Sequence, residues 1–169
     1  SGIDFEIPAY FTFFDGAGAY QFHVPSTSFE FNNIPIETEG ICLTTVPDVC
    51  VEEGIYTVVV DMPPIPGGYQ IVYQSCCRNV TILNLIDPDD QGAAYTISVP
   101  EADSAGECPN NSAVFNNFPP IVICVNAPLI FDHSATDIDG DSLVYSLCDI
   151  YTDSPNNDPT TGEFVPPPY

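Results

Sequence analysis

Punctuation decides what this chain can fold into. Proline occurs 18 times and glycine 11 times. No segment beyond about ten residues keeps the 3.6-residue apolar period of an amphipathic helix. Short β-branched and aromatic runs recur instead, bounded by Pro, Gly, Asn and Asp. They are AYFTFF (9–14), AYQFHV (19–24), SFEF (28–31), IYTVVVD (55–61), YQIVYQS (69–75), NVTILNL (79–85), AAYTISV (93–99), PIVICV (120–125), PLIF (128–131) and SLVYSL (142–147). DGAG at 15–18 reads as the hairpin turn between the first two. MPPIPGG at 62–68 reads as a proline-rich connection between two strands.

Many short strands with this punctuation predict an all-β chain built of immunoglobulin-like β-sandwiches. PEADSAGECPNN, residues 100–111, is polar and poor in strand formers, so a linker is expected over 101–110. It would separate a first sandwich, 1–100, holding seven of the runs, from a second, 111–169, holding three. The second ends in FVPPPY and reads as incomplete in this chain. Its remaining strands are expected from the same polypeptide or from a neighbouring copy. IPAYFTFF (7–14) is apolar on both faces, as a strand buried between sheets would be. Donated to a neighbour's open edge, it would build a head-to-tail fibre.

Charge narrows the function. Asp and Glu number 24 against one Lys or Arg, a formal net charge of −23, and Arg78 is that lone cation. Such a chain repels nucleic acid and anionic membranes. Its carboxylates call for counter-cations, and a hard divalent ion with oxygen ligands suits them. Arg78 is expected to make a charge-assisted bond to a carboxylate or carbonyl. No apolar run approaches membrane-spanning length. The opening SGIDFEIPAYF carries no signal peptide and reads as a mature or internal piece of a secreted protein.

Seven cysteines, without zinc-site spacing and with only His23 and His133 to help, point to disulfides in an oxidising compartment. The odd number leaves one thiol free or paired outside the chain. Cys76 and Cys77 are adjacent on an expected strand, so their side chains should face opposite ways and enter two separate bridges. A vicinal redox disulfide is the alternative. Cys42 and Cys50 flank a short loop with Pro47, which allows a local bridge. Cys108, Cys124 and Cys148 surround the second module, and two of them are expected to pair.

The densest acidic feature is SATDIDGDSLVYSL, residues 134–147. Asp137, Asp139 and Asp141 alternate there with Ile138 and Gly140, and Gly140 allows a tight turn around an ion. An EF-hand loop would need Gly sixth and Glu twelfth. Gly here is fourth and the twelfth residue is Cys148, so that reading fails. ATDIDGDSLVYSL resembles the cadherin segment in which an Asp-x-Asp pair precedes a strand, and NNSAVF (110–115) resembles the cadherin calcium linker. The resemblance implies calcium held by Asp137, Asp139 and Asp141, with an oxygen from Asn111 and weaker contributions from Glu101 and Asp132. The linker departs from that family in lacking an acidic residue beside Asn111, which implies fewer ions.

A second resemblance covers about residues 40–169. GGYQIVYQSCCRN and FDHSATDIDGDSLVYSLC are similar to a module of very large surface proteins of Bacteroidota, the gliding-motility-associated or type IX secretion cargo type. It implies an exported, extracellular or surface-attached protein. It also implies an O-glycan acceptor pattern, met by DSA (103–105) and by DSL (141–143); the latter overlaps the aspartate loop, so Ser104 is the expected site. NVT (79–81) and NNS (110–112) are formal N-glycan sequons at Asn79 and Asn110.

No nucleophile or acid–base constellation accompanies His133 and its neighbour Asp132, so an enzyme is not expected. The expected function is structural: a segment of an extracellular bacterial filament, stalk or adhesin, rigidified by calcium and disulfides. The partners would be copies of itself, flanking modules or surface glycans. A carbohydrate- or surface-binding module of an exported enzyme is the alternative, and the lack of tryptophan counts against it.

Overall fold

A computed structural model describes residues 5–36, 50–102 and 110–152. Those residues are all-β. They form strands β1 (Tyr10–Asp15), β2 (Tyr20–Pro25), β3 (Ser28–Ile34), β4 (Val51–Thr57), β5 (Tyr69–Ser75), β6 (Ala93–Val99), β7 (Val114–Phe115) and β8 (Ala135–Thr136). The one helical element among the described residues is a 3-10 turn at Pro88–Asp90. No helix among the described residues is long and apolar enough to cross a membrane.

Four strands make the main sheet, in the order β2-β1-β5-β6, every neighbouring pair antiparallel. The DGAG turn closes its first hairpin. The Asp15 carboxylate accepts the amides of Ala17 and Ala19, both at 2.9 Å, and Gly18 takes φ +83°. Asp15 also uses its backbone N–H and C=O on Ala19 and Gly18. These bonds explain why a short acidic turn suffices.

The core sits on this sheet. Phe13, Phe14, Val72, Ala93 and Ala94 are buried, as is Thr12. Phe13 stacks on Phe22 at 4.7 Å between ring centroids, with Tyr69 edge-on to both. Three consecutive residues of β1, Thr12 to Phe14, are buried, so this strand is covered on both faces. That part of the expectation for IPAYFTFF holds. Its use as a donor does not follow, because β1 is already paired on both edges, with β2 and with β5.

β3 and β4 form a two-stranded sheet. Thr57 O receives both the amide and the hydroxyl of Thr27, and Phe29 packs on Tyr56 at 4.9 Å. β7 and β8 form a third, antiparallel sheet.

The chain divides into two compact units. Among the described residues the first comprises 5–30, 55–102 and 147–152, and the second 31–36, 50–54 and 110–146. This division differs from the boundaries expected at 100 and 111 in two places: 31–36 and 50–54 fall in the second unit, and 147–152 fall in the first. Tyr151 bridges to Ala94 of β6, its carbonyl accepting the Ala94 amide at 3.0 Å, and packs on Phe14, Val72 and Ala94.

Several expected strands are not strands. Asn79 turns NVTILNL into a turn, since its side-chain oxygen takes both the amide and the hydroxyl of Thr81 at 2.9 Å. This side-chain bond competes with the ladder. PIVICV, PLIF and SLVYSL are irregular. No residue of 110–146 is buried, and Val125, Ile130 and Val144 are about nine-tenths exposed. With no facing layer among the described residues, these apolar runs have nothing to alternate against.

The cysteines need two corrections. Cys76 and Cys77 are bonded to each other, the alternative and not the two separate bridges. β5 ends at Ser75, so the strand alternation that would separate their side chains does not reach them. Cys50 carries a free, exposed thiol, which removes the local bridge expected with Cys42, a residue outside the described ones. Cys124 is disulfide-bonded and Cys148 is free and exposed. Cys108 also lies outside the described residues. Arg78 donates its backbone amide to Pro88 O at 2.8 Å. It makes no ion pair among the described residues.

Candidate cation loop

The loop after β8 is assembled by a ladder that outlasts its strands. β7 and β8 pair Val114 with Thr136 and Phe115 with Ala135. In the same register the Asn116 amide donates to Ser134 O at 3.0 Å. Three residues the other way, that register sets Asn111 opposite Asp139. The contact is made: the Asn111 amide donates to Asp139 Oδ2 at 2.6 Å, and its Nδ2 reaches Oδ2 and Oδ1 at 3.1 and 3.2 Å.

Within DIDGD the turn is held by its first aspartate. Asp137 Oδ1 accepts the amides of Asp139 at 2.9 Å and Asp141 at 3.3 Å. The Gly140 amide donates to Asp137 O, and Gly140 adopts φ +81°, a left-handed conformation that favours glycine. Thus Asn111, Asp137, Asp139 and Asp141 come together. Their donors are hard oxygens, the chemistry that suits calcium. They do not converge on one point. Among the described residues no three carboxylate, imidazole or thiol groups are placed to hold an ion.

The two weaker candidates have other partners. Glu101 belongs to the first unit, where its carboxylate accepts the Gly67 amide at 3.0 Å. Asp132 lies beyond the opposite end of the β7–β8 ladder. It accepts the amide and hydroxyl of Ser134 at 2.9 and 3.1 Å and Asn117 Nδ2 at 3.3 Å. The Ser134 amide, then its hydroxyl, hold the Asp132 carboxyl below its ordinary value of 3.8.

A feature the sequence did not reveal lies beside Asp132. Phe115, Phe118, Phe131, Pro119, His133 and two asparagines line a cavity of about 330 Å³. His133 stands edge-on to Phe131 at 4.4 Å and to Phe115 at 6.3 Å. Asn116 and Asn117 are fixed at its wall by Ser134, Thr136 and Asp132. These rings come from two separate segments, 115–118 and 131–133, so only the ladder register could have shown them as neighbours.

Of the glycan candidates, Asn79 and Asn110 are exposed, and Ser104 lies outside the described residues. Compared with known proteins, the chain matches no family model, no curated protein and no solved structure.

Proposed function

We propose that this chain is a structural segment of an extracellular bacterial filament, stalk or adhesin, made of immunoglobulin- and cadherin-like β modules in tandem. The observation that carries this reading is the second unit. Its ladder is ordered by polar bonds, yet it buries no residue across 110–146 and exposes Phe115, Phe118, Ile130 and Val144. Large apolar side chains exposed in this number suit a surface made to be covered. A module that works by packing against further chain has this character; one that works alone does not.

Calcium at Asp137, Asp139, Asp141 and Asn111 is part of the proposal. The register that brings Asn111 to Asp139 favours it, and so does a net charge of −23. Binding would require the carboxylates to turn from backbone amides towards the ion, stiffening the loop and relieving charge repulsion. No chemistry on a substrate is proposed. Differential scanning calorimetry with calcium, then with chelator, tests this. The midpoint should rise with calcium in the native chain and stay put in Asp137→Asn/Asp139→Asn. Equal response of both would sink the ion site.

One observation favours the second reading, a surface- or carbohydrate-binding module. The Phe115, Phe118, Phe131 and His133 cavity is concave, apolar and edged by fixed amides, as ligand pockets are. Glycan-array binding lost in Phe131→Ala would support it over the structural reading.

A further inference from the structure

β6 is an edge strand of unusual character. Its outer edge is covered at one point only among the described residues, where Tyr151 bridges to Ala94. Burial follows that bridge closely. Ala93 and Ala94 are buried, whereas the next four residues, Tyr95 to Ser98, are exposed. Tyr95 is 55% and Ile97 47% exposed. Edge strands are ordinarily blunted by charge, proline or a bulge. AAYTISV carries no charge and no proline, and its register with β5 runs unbroken from Tyr69↔Val99 to Ser75↔Ala93. β5, YQIVYQS, is uncharged as well. The opposite edge strand, β2, differs: its pairing with β1 has a register shift and it ends in Pro25.

We propose that β6 is a self-pairing edge, through which two copies of this chain join into one continuous antiparallel sheet. The hydrogen-bond parity fixes the register. The Ala94 amide points away from β5, to Tyr151 O. Amides alternate in direction along a strand, so those of Thr96 and Ser98 also point outward. A two-fold axis at Ile97 then sets Thr96 opposite Ser98 of the second copy, and Ser98 opposite Thr96. Both are hydrogen-bonded pairs. Ile97 meets Ile97 of the second copy, and Tyr95 meets Val99, in the non-hydrogen-bonded positions where Cα atoms approach to about 4.5 Å.

The side chains agree with that register. Tyr95, Ile97 and Val99 share one face and lie opposite Tyr73, Ile71 and Tyr69 of β5. Tyr95 already stacks on Tyr73 at 6.2 Å. Self-pairing extends this apolar stripe across the axis with β-branched and aromatic cross-strand pairs. One rung further would set Ala94 opposite Pro100, which has no amide to offer, so the pairing ends where the Tyr151 bridge begins. A second copy is the fitting occupant because the register is self-complementary and isologous. It also brings two strongly acidic chains together along strands that carry no charge. This surface lies in the first unit and does not depend on the structural reading of the second.

The test is sedimentation of the chain across a dilution series at about 1 M salt, where the Debye length is about 3 Å and charge repulsion is screened. The native chain should be dimeric at the concentrated end. Ile97→Lys, which sets two cations face to face, should be monomeric throughout. So should Thr96→Pro, which removes only an outward amide and keeps the pairing with β5. Circular dichroism of each variant should match the native spectrum. Should either variant unfold, Ile97→Cys gives an independent reading. Oxidation by a disulfide reagent should yield the 97–97 cross-linked peptide in mass spectra, while Tyr95→Cys, which faces Val99, should not link to itself. A native chain monomeric at every concentration, or a dimer indifferent to Ile97→Lys, overturns the proposal.

Discussion

Asn111 and Asp139 are 28 residues apart and share three hydrogen bonds, one from the Asn111 backbone and two from its side chain. The pair stands in the register of β7 and β8, three residues from the last strand pair. It clamps the DIDGD loop to the stretch that leads into β7. Asn111→Ala removes two of the three bonds and leaves the backbone one. The site is exposed, so a loss of about 0.5–1.5 kcal/mol in urea unfolding is expected. Affinity for the proposed calcium ion should fall with it, read by isothermal titration. An unchanged midpoint and unchanged affinity would show that the backbone bond alone suffices.

The main sheet should be sensitive at Phe13. This ring is 2% exposed and meets both Phe22 and Tyr69. Phe13→Ala leaves a cavity between two strands that cannot close without breaking register. A loss of about 3–5 kcal/mol is expected by denaturant unfolding. The exposed Val144 gives the contrast: Val144→Ala in the isolated chain should stay within about 0.5 kcal/mol.

Gly68 should tolerate no side chain. It sits at φ +70°, and a Cβ there would run into the Val99 carbonyl oxygen and approach the Glu101 amide nitrogen to 2.7 Å. All the obstructing atoms are backbone, so nothing can swing aside. Gly68→Ala should cost roughly 2–4 kcal/mol. It should also loosen the Pro63 carbonyl from the Tyr69 hydroxyl, now at 2.7 Å. Gly18→Ala has open space around it and only its φ of +83° to resist. It should cost about 1–2 kcal/mol.

Tyr73 predicts an alkaline transition. Burial first, then the nearby Glu6 charge, push its hydroxyl up to about 12 from an ordinary 10.0. The folded chain therefore holds this proton more tightly than the unfolded chain does. The stability linked to it is fully present below pH 10 and is lost as pH rises towards 12. Tyr56, raised by the same two causes, adds to the effect. Unfolding midpoints in urea should fall over that window, and Tyr73→Phe should flatten the fall.

Much of the main sheet could be read from the sequence. β5 and β6 coincide with YQIVYQS and AAYTISV because both runs are rich in β-branched and aromatic residues and each is preceded by glycine. β1 and β2 follow from the DGAG turn, whose aspartate and glycine do the work assigned to them. β4 begins at Val51, earlier than IYTVVVD predicts, and ends at Thr57. NVTILNL shows the limit of periodicity: its composition favours a strand, and one asparagine side chain overrules it locally. The second unit was legible only in its polar parts. DIDGD and Asn111 announce themselves by residue type, while the aromatic cavity depends on a register that spacing alone does not supply. Cys76 and Cys77 bond to each other because β5 stops at Ser75, one residue too early for strand alternation to separate them.

Electron microscopy of the native assembly, before and after addition of a calcium chelator, tests the central claim most directly. The account predicts elongated particles or fibres that soften or disperse when calcium is withdrawn. Particles or fibres left unchanged in form and size by the chelator would contradict it.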